Sequence, residues 1–180
     1  MTLAGNWTLD AAHSTIGFTA RHAMVTKVHG SFGDFDATIT VDAENPQASS
    51  AQATIRTASV DTGNADRDAH VKNEDFFDVE RFPEMTFSST SFDIDTTGNA
   101  ASGTVTGDLT IKGTTRPVTL DVEVFGVEED PFGNTRIGFE ASTTINRKDF
   151  GIDFQAPLGS GGVLVSEKIA IAIDGSGIKA

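Results

Sequence analysis

Over most of its 180 residues this chain alternates aliphatic residues or Thr with polar residues. A period of two is the pattern of a strand with one face buried and the other wet. Eight such runs can be traced: Ser14–Met24, Val28–Val41, Ser50–Val60, Glu84–Ile94, Ala101–Lys112, Arg116–Val127, Thr135–Lys148 and Val163–Asp174. Between them the segments AENPQ, DTTGN, KGTT, EEDPFGN and PLGSGG supply the Gly, Pro, Asn and Asp that let a backbone reverse. Runs of about a dozen residues at ~3.3 Å rise are ~40 Å long, beyond the ordinary strand. Eight long antiparallel strands favour closure into a barrel, which leaves no exposed edge. An immunoglobulin-type sandwich competes, but its strands are shorter and its turns closer together.

The inward positions decide what such a barrel does. Taking alternate residues places Ile16, Phe18, Ala20 and His22 on one face, with Phe35, Ala37, Ile39 and Val41, then Ala51, Ala53 and Ile55. Later runs add Gly103, Val105, Gly107, Leu109 and Ile111; Val118, Leu120, Val122 and Val124; Ile137, Phe139, Ala141 and Ile145; and Val163, Val165, Ile169, Ile171 and Ile173. Eight strands enclose a space that side chains can fill or that one small ligand can occupy. The many Ala and Gly residues leave two readings: an apolar tunnel with a lipid-like guest, or a core filled by bulky neighbours.

Between the third and fourth runs the pattern breaks at NADRDAHVKNEDFF, residues 64–77. Asn64 suits a helix cap, Asp66 a first turn, and Asp66/His70 and Asp68/Lys72 are spaced i to i+4, so a short helical insert is expected. Phe76, Phe77, Phe82 and Phe87 follow, with Pro83 ending any helix, which suits burial of aromatic rings against the barrel. Asn64, Asp66 and Asp68 match the first three ligand positions of a calcium loop, but Ala69 replaces the required Gly and Asp75 the bidentate Glu. A catalytic set of Asp66, Asp68 and His70 is chemically conceivable, yet helical spacing accounts for the same residues. His13, His22 and His29 are spread over two runs and define no metal site. His22 shares the apolar face with Ile16 and Phe18, as a satisfied core histidine or as a polar handle for a ligand headgroup.

Composition removes other classes. There is no cysteine, hence no thiol chemistry, disulfide or Cys-based zinc site. The net charge of −13 repels phosphate backbones, so nucleic acid is not expected as a partner. No leader-like segment and no apolar stretch long enough for a membrane span is found, which suggests a cytoplasmic location. No G-x-S-x-G elbow, Walker loop, H-E-x-x-H or dinucleotide fingerprint occurs, and GSGG at 159–162 reads as a turn.

Four blocks in order, AAHSTIGFTARHAMVTKVHGSFGDFDATITV, TASVDTGNADRDAHVKNEDFFDVERFPEMTFSST, GTVTGDLTIKGTTRPVTLDV and DPFGNTRIGFEASTTINRKDFGI, resemble the YceI-like family from about Trp7 to Ile173. The resemblance implies an all-β fold: an extended, lipocalin-like eight-stranded antiparallel barrel with the helical insert packed beside it, in one domain over residues 1–180. It implies an apolar channel for a polyisoprenoid, a polyprenyl quinone or another long lipid or amide, and no catalytic residues; no metal or cofactor is expected. It also implies that Arg67, Asp68 and His70 tie the insert to the barrel. Relatives of this kind often carry a signal peptide. A diphosphate headgroup wants positive charge, for which Arg21, His22, Lys27 and His29 form one cluster and Arg147 and Lys148 a second. Given the acidity of the chain, a quinone or amide headgroup competes equally.

The expectation is therefore a non-enzymatic lipid-binding or transport protein. Its ligand-binding residues would be Ile16, Phe18, Ala20, Arg21, His22, Leu109, Val122, Phe139, Ala141 and Ile171. A lipid-modifying isomerase or hydrolase using His22 or Asp66/His70 is the alternative, a filled interaction module is a third, and a homodimer is possible.

Overall fold

The structure is a computed structural model describing residues 2–160 and 162–180, so Gly161 of the PLGSGG turn lies outside the described residues. The strands are β1 (Gly5–Leu9), β2 (Thr15–His22), β3 (Thr26–Phe32), β4 (Phe35–Val41), β5 (Ser50–Arg56), β6 (Val60–Asp61), β7 (Glu84–Ile94), β8 (Ala101–Ile111), β9 (Thr114–Glu129), β10 (Thr135–Asn146) and β11 (Lys168–Lys179). One α-helix, α1 (Ala65–Lys72), lies among the described residues.

Every strand pairing is antiparallel, in the order β1, β4, β5, β7, β8, β9, β10, β11, and β11 pairs back to β1. The result is a closed eight-stranded barrel. β11 meets β1 through Gly177–Lys179 and β2 through Ala170–Asp174, so β1 and β2 are two halves of one interrupted stave. β3 pairs with β2 and β4 with β1, and these make the next stave. The interruption between β1 and β2 is a 3-10 turn at Ala11–His13, capped by Asp10, whose carboxylate accepts from the Ala12 N–H at 3.1 Å. Around it the ladder is bridged: the Asp10 N–H donates to Ser176 O at 2.7 Å and the Ser176 N–H to Ser14 Oγ at 3.0 Å.

Five details depart from the sequence pattern. The GNWTL strand went unrecognised because it is short and ends in the 3-10 turn. The run 28–41 is two strands parted at Gly33 and Asp34, and the third run stops at Arg56. The eighth strand begins at Lys168 and extends to Lys179, because Val165 is taken up by the Gln155 side chain, which donates to Val165 O at 2.8 Å and accepts from Val165 N–H at 3.1 Å. The insert is tied on only partly as expected: Arg67 and Asp68 bond to Thr62, directly after β6, whereas His70 pairs with Asp75 inside the insert.

One end of the barrel is flared. β5 lies along β4, whereas of β3 only Ser31 and Phe32 are matched by the two-residue β6. The insert covers the gap that remains. Phe77 meets Phe32 edge-on at 5.6 Å, and Lys112 Nζ reaches Glu74 O at 2.7 Å. The other end is packed by Leu3, Trp7, Val41, Val124, Val127 and Ile137, with the Trp7 indole donating to Leu3 O at 2.8 Å.

Near the packed end an ion-pair cluster joins three separate segments. Arg136 bonds Asp130 at 2.6 Å and Asp10 at 2.8 Å, and His13 bonds Asp10 at 2.8 Å. The Arg136 guanidinium, then His13, hold the Asp10 carboxyl down at about 2, and Arg136 also lowers Asp130. Carboxyls depressed by folding contribute stability that is present above their ordinary value near 4 and is lost as the pH falls toward about 2. The thermal midpoint of the wild type should fall across that window more steeply than that of Arg136→Gln. Equal slopes in scans from pH 5 to pH 2 would show that the cluster does not govern acid stability.

Candidate ligand-binding cavity

The flared half of the barrel encloses a cavity of about 360 Å³. Its wall is built from β2, β3, β5, β7, β8, β9, β10 and β11, and from the insert through Arg67, His70, Val71, Phe76 and Phe77. The apolar lining includes Ile16, Phe18, Val28, Phe32, Ala53, Phe87, Leu109, Leu120 and Ile171. Ile55, Met85, Ile111, Phe150 and Ile152, which also line it, belong to a buried cluster with Phe35 and Val60.

Aromatic rings seated on glycines shape this wall. Phe18 faces Gly30 across the β2–β3 ladder, and a Cβ on Gly30 would collide with the Phe18 ring. Gly107 gives the same seat to Phe87, and Gly175 to Phe139. A ring lying flat on the neighbouring strand occupies wall and not bore. The small residues at these inward positions are therefore matched to rings and do not of themselves create voids.

Of the residues selected from sequence, Ile16, Phe18, Ala20, Arg21, His22, Leu109 and Ile171 border this cavity. Val122, Phe139 and Ala141 do not. Val122 and Phe139 pack on the Trp7 cluster at the filled end, and Ala141 is buried at the same level of β10, opposite Val122. Parity gives the face of a strand but not the height along the barrel axis. The sequence reading also passed over Arg67, Val71, Phe154 and Leu164, which come from the insert and from the loop before β11 and follow no strand period.

The polar part of the wall holds three arginines, Arg21, Arg67 and Arg147, with His22, His70, Thr62 and Thr143, and no Asp or Glu borders the cavity among the described residues. Arg147 is buried, and its guanidinium donates to three main-chain carbonyls: Ser166 at 2.9 Å, Ile152 at 2.7 Å and Val165 at 3.2 Å. Burial lowers its pKa, against a smaller opposing pull from Glu167 and Asp153. Its neighbour Lys148 takes Glu167 in an ion pair at 2.8 Å, while Arg147 has no carboxylate partner among the described residues. Arg67 directs two donors to Thr62 and keeps others free to serve the mouth. His70 stands between Phe76 and Phe154, edge-on at 5.0 and 4.8 Å, with Nε2 2.9 Å from Asp75.

The residues with calcium-loop and i to i+4 spacing are engaged in the local structure of the insert: Asn64 caps α1 through the Arg67 N–H, Asp68 accepts from Thr62 and His70 pairs with Asp75. No group of three or more His, Asp or Glu side chains is placed to hold a metal among the described residues.

The YceI-like domain model matches residues 7–176. The chain belongs to the YceI-like family. A UPF0312 protein of Photorhabdus laumondii is 42% identical over 159 residues, covering 87% of this chain and 80% of the relative. The YceI protein of Escherichia coli O157:H7 is 42% identical over 143 residues, covering 79% and 73%. Among solved structures, Burkholderia cenocepacia BcnA superposes with a TM-score of 0.72 at 28% identity, covering 93% of this chain and 98% of its own. A polyisoprenoid-binding domain from Saccharophagus degradans, implicated in plant cell wall breakdown, superposes with a TM-score of 0.74 at 15% identity over 97% of this chain and 98% of its own. At that identity the likeness concerns the fold. No α-helix among the described residues is long and apolar enough to cross a membrane.

The glycine seats give a paired test. Gly30→Ala should push Phe18 into the bore and reduce binding of an apolar fluorescent probe about tenfold, whereas Gly175→Ala should displace Phe139 at the filled end and leave binding unchanged. Both should destabilise by about 1–3 kcal/mol, the usual cost of overpacking. Probe titration with parallel thermal melts reads both quantities, and equal binding losses would refute the division of the barrel into a filled and an open end.

Proposed function

We propose that this protein binds and carries a long lipid, with its apolar chain in the flared half of the barrel and an acceptor-rich headgroup at the cationic wall. The observation that carries the reading is the cavity itself, apolar along its length, bordered by three arginines and, among the described residues, by no acid. Burial of a hydrocarbon at ~0.8 kcal/mol per CH₂ gives affinity without strict shape selection, so lipids of similar width would compete. Support also comes from the family, whose structural relative from Saccharophagus degradans is described as polyisoprenoid-binding.

The headgroup is where selectivity would arise. Arg21 and Arg67 at the mouth and Arg147 in the wall offer N–H donors without competing carboxylates. Such donors favour a phosphate, diphosphate or carboxylate over a quinone or amide, because charge-assisted hydrogen bonds are about twice as strong as neutral ones. The acidity of the chain as a whole does not oppose this, since distant surface charges are screened over ~8–10 Å.

A hydrolase or isomerase acting in the same cavity is less well supported. His22 has no hydrogen-bonded carboxylate among the described residues, and His70 uses Nε2 on Asp75 while its ring is wedged between two phenylalanines.

Mass spectrometry of an organic extract from protein purified without detergent should show a stoichiometric long-chain species. In competition, a polyprenyl diphosphate or a long-chain carboxylate should displace it better than the alcohol or quinone of equal chain length. Arg21→Gln and Arg67→Gln should each weaken the anionic competitor about tenfold, equivalent to ~1.4 kcal/mol, and leave the neutral ones unchanged. Equal affinity for charged and neutral heads would overturn the headgroup assignment, and an apo protein that takes up no lipid would overturn the carrier reading. Turnover of the bound lipid, abolished in His22→Ala with binding retained, would replace it with the enzymatic one.

A further inference from the structure

The turn between β2 and β3 is built against local economy. Ala23 and Met24 take φ of 50° and 64°, the left-handed region where Gly or Asn would be easily accommodated. Here the chain places apolar residues that remain in solvent: Met24 is 52% and Val25 77% exposed. The turn is fixed to the cavity mouth, because Ala23 N–H donates to Leu164 O at 2.8 Å and His22 bridges Val165, all next to wall residues. The other exposed large hydrophobic residues, Phe125 and Phe132, lie on the β9–β10 hairpin that carries Glu128, Glu129 and Asp130, away from the cavity.

Charge separates the two places further. The chain carries 26 Asp and Glu, yet none occurs from Ala11 to Gly33, a stretch with Arg21, Lys27, His13, His22 and His29. None occurs from Phe154 to Ser166 in the neighbouring loop either. The mouth thus has an apolar tip and a positive flank on one side. Its other side, the insert, presents Asp66 and Glu74 to solvent and is ill suited to an anionic surface.

We infer that the β2–β3 turn is a docking tip for an anionic lipid bilayer, with Met24 and Val25 entering the boundary between headgroups and acyl chains. Arg21 and Lys27 contact the headgroups. The occupant is a membrane because the exposed apolar tip, the positive flank and the open cavity coincide, and interfacial binding combines buried apolar area with attraction to anionic lipids. The inference rests on the lipid-binding reading: a tip seated in the bilayer lets a chain pass between membrane and cavity without crossing water. Two consecutive left-handed residues with apolar side chains are a stability sacrifice consistent with a site kept for contact.

Flotation of the purified protein with vesicles of phosphatidylcholine and phosphatidylglycerol tests it. The wild type should co-float, less so at high salt and less on phosphatidylcholine alone. The double substitution Met24→Asp, Val25→Asp should reduce flotation about tenfold, and Asp tolerates the left-handed conformation, so the fold is preserved. The same variant should slow transfer of a fluorescent polyprenyl phosphate out of vesicles about tenfold, while its occupancy by that probe supplied from ethanol stays at the wild-type level. Lys27→Glu should lower flotation by itself, and Met24→Gly should raise the thermal midpoint while weakening flotation. Wild-type protein that does not float, or floats equally well after the double substitution, overturns the inference. So does a concentration-dependent dimer lost in the variant without any vesicle binding, which would make the tip an interface between copies. Failure of uptake from ethanol would instead strike the lipid-binding reading, and flotation would still judge the tip.

Discussion

The architecture depends on one long strand serving two partners. β11 pairs with β1 near its C-terminal end and with β2 further back, and the barrel is closed only because both halves of that first stave find it. Closure removes the exposed edges that eight long strands would otherwise present. The 3-10 turn between β1 and β2 absorbs the change in course, with Ser14 and Asp10 supplying the hydrogen bonds the ladder loses opposite Ser176. From there the two halves diverge. β1 leads to the stave completed by β4 and the packed end, while β2 leads to β3, whose outer edge is left almost unpaired and forces the barrel to flare.

That flare gives the NADRDAHVKNEDFF segment its meaning. Its charged residues are turned on one another and on Thr62, which holds a short helix that packing alone would not stabilise. Its rings do the joining: Phe77 lies against Phe32, and Phe76 forms a cluster with His70 and Phe154. The insert is the missing section of wall, so the cavity exists because a gap in the sheet is covered by aromatic surface and not by another strand.

Much of this was legible in the residues. Period-two alternation shows which side chains point inward, and four quoted blocks place the chain in its family. Other features escaped for physical reasons. Val122, Phe139 and Ala141 obey the same parity as Leu120 and Ile145, yet the first three sit where Trp7 and its neighbours fill the barrel and the latter two border the cavity. Nothing in a period of two reports height along an axis; that depends on register with strands far away in sequence, such as Ala141 opposite Ile173 and Val122. An inward glycine misleads in the same way. Gly107, an inward position by parity, suggests empty volume until the fold shows Phe87 seated on it, as Phe18 is on Gly30 and Phe139 on Gly175.

Net charge is the last place where a whole-chain quantity and a local one part company. A value of −13 argues against nucleic acid and, taken alone, against an anionic ligand too. Yet an ion in the cavity would feel the groups within a few ångströms of it across low-dielectric walls, and those are guanidiniums and imidazoles. The acids carried by the strands lie on their wet outer faces, where salt screens them. Arg147 makes the point most sharply: a buried cation that borders the cavity is satisfied by three carbonyls and, among the described residues, by no carboxylate. The same division of charge that keeps the outside of the barrel strongly hydrated leaves arginines, and no carboxylate among the described residues, along the cavity wall.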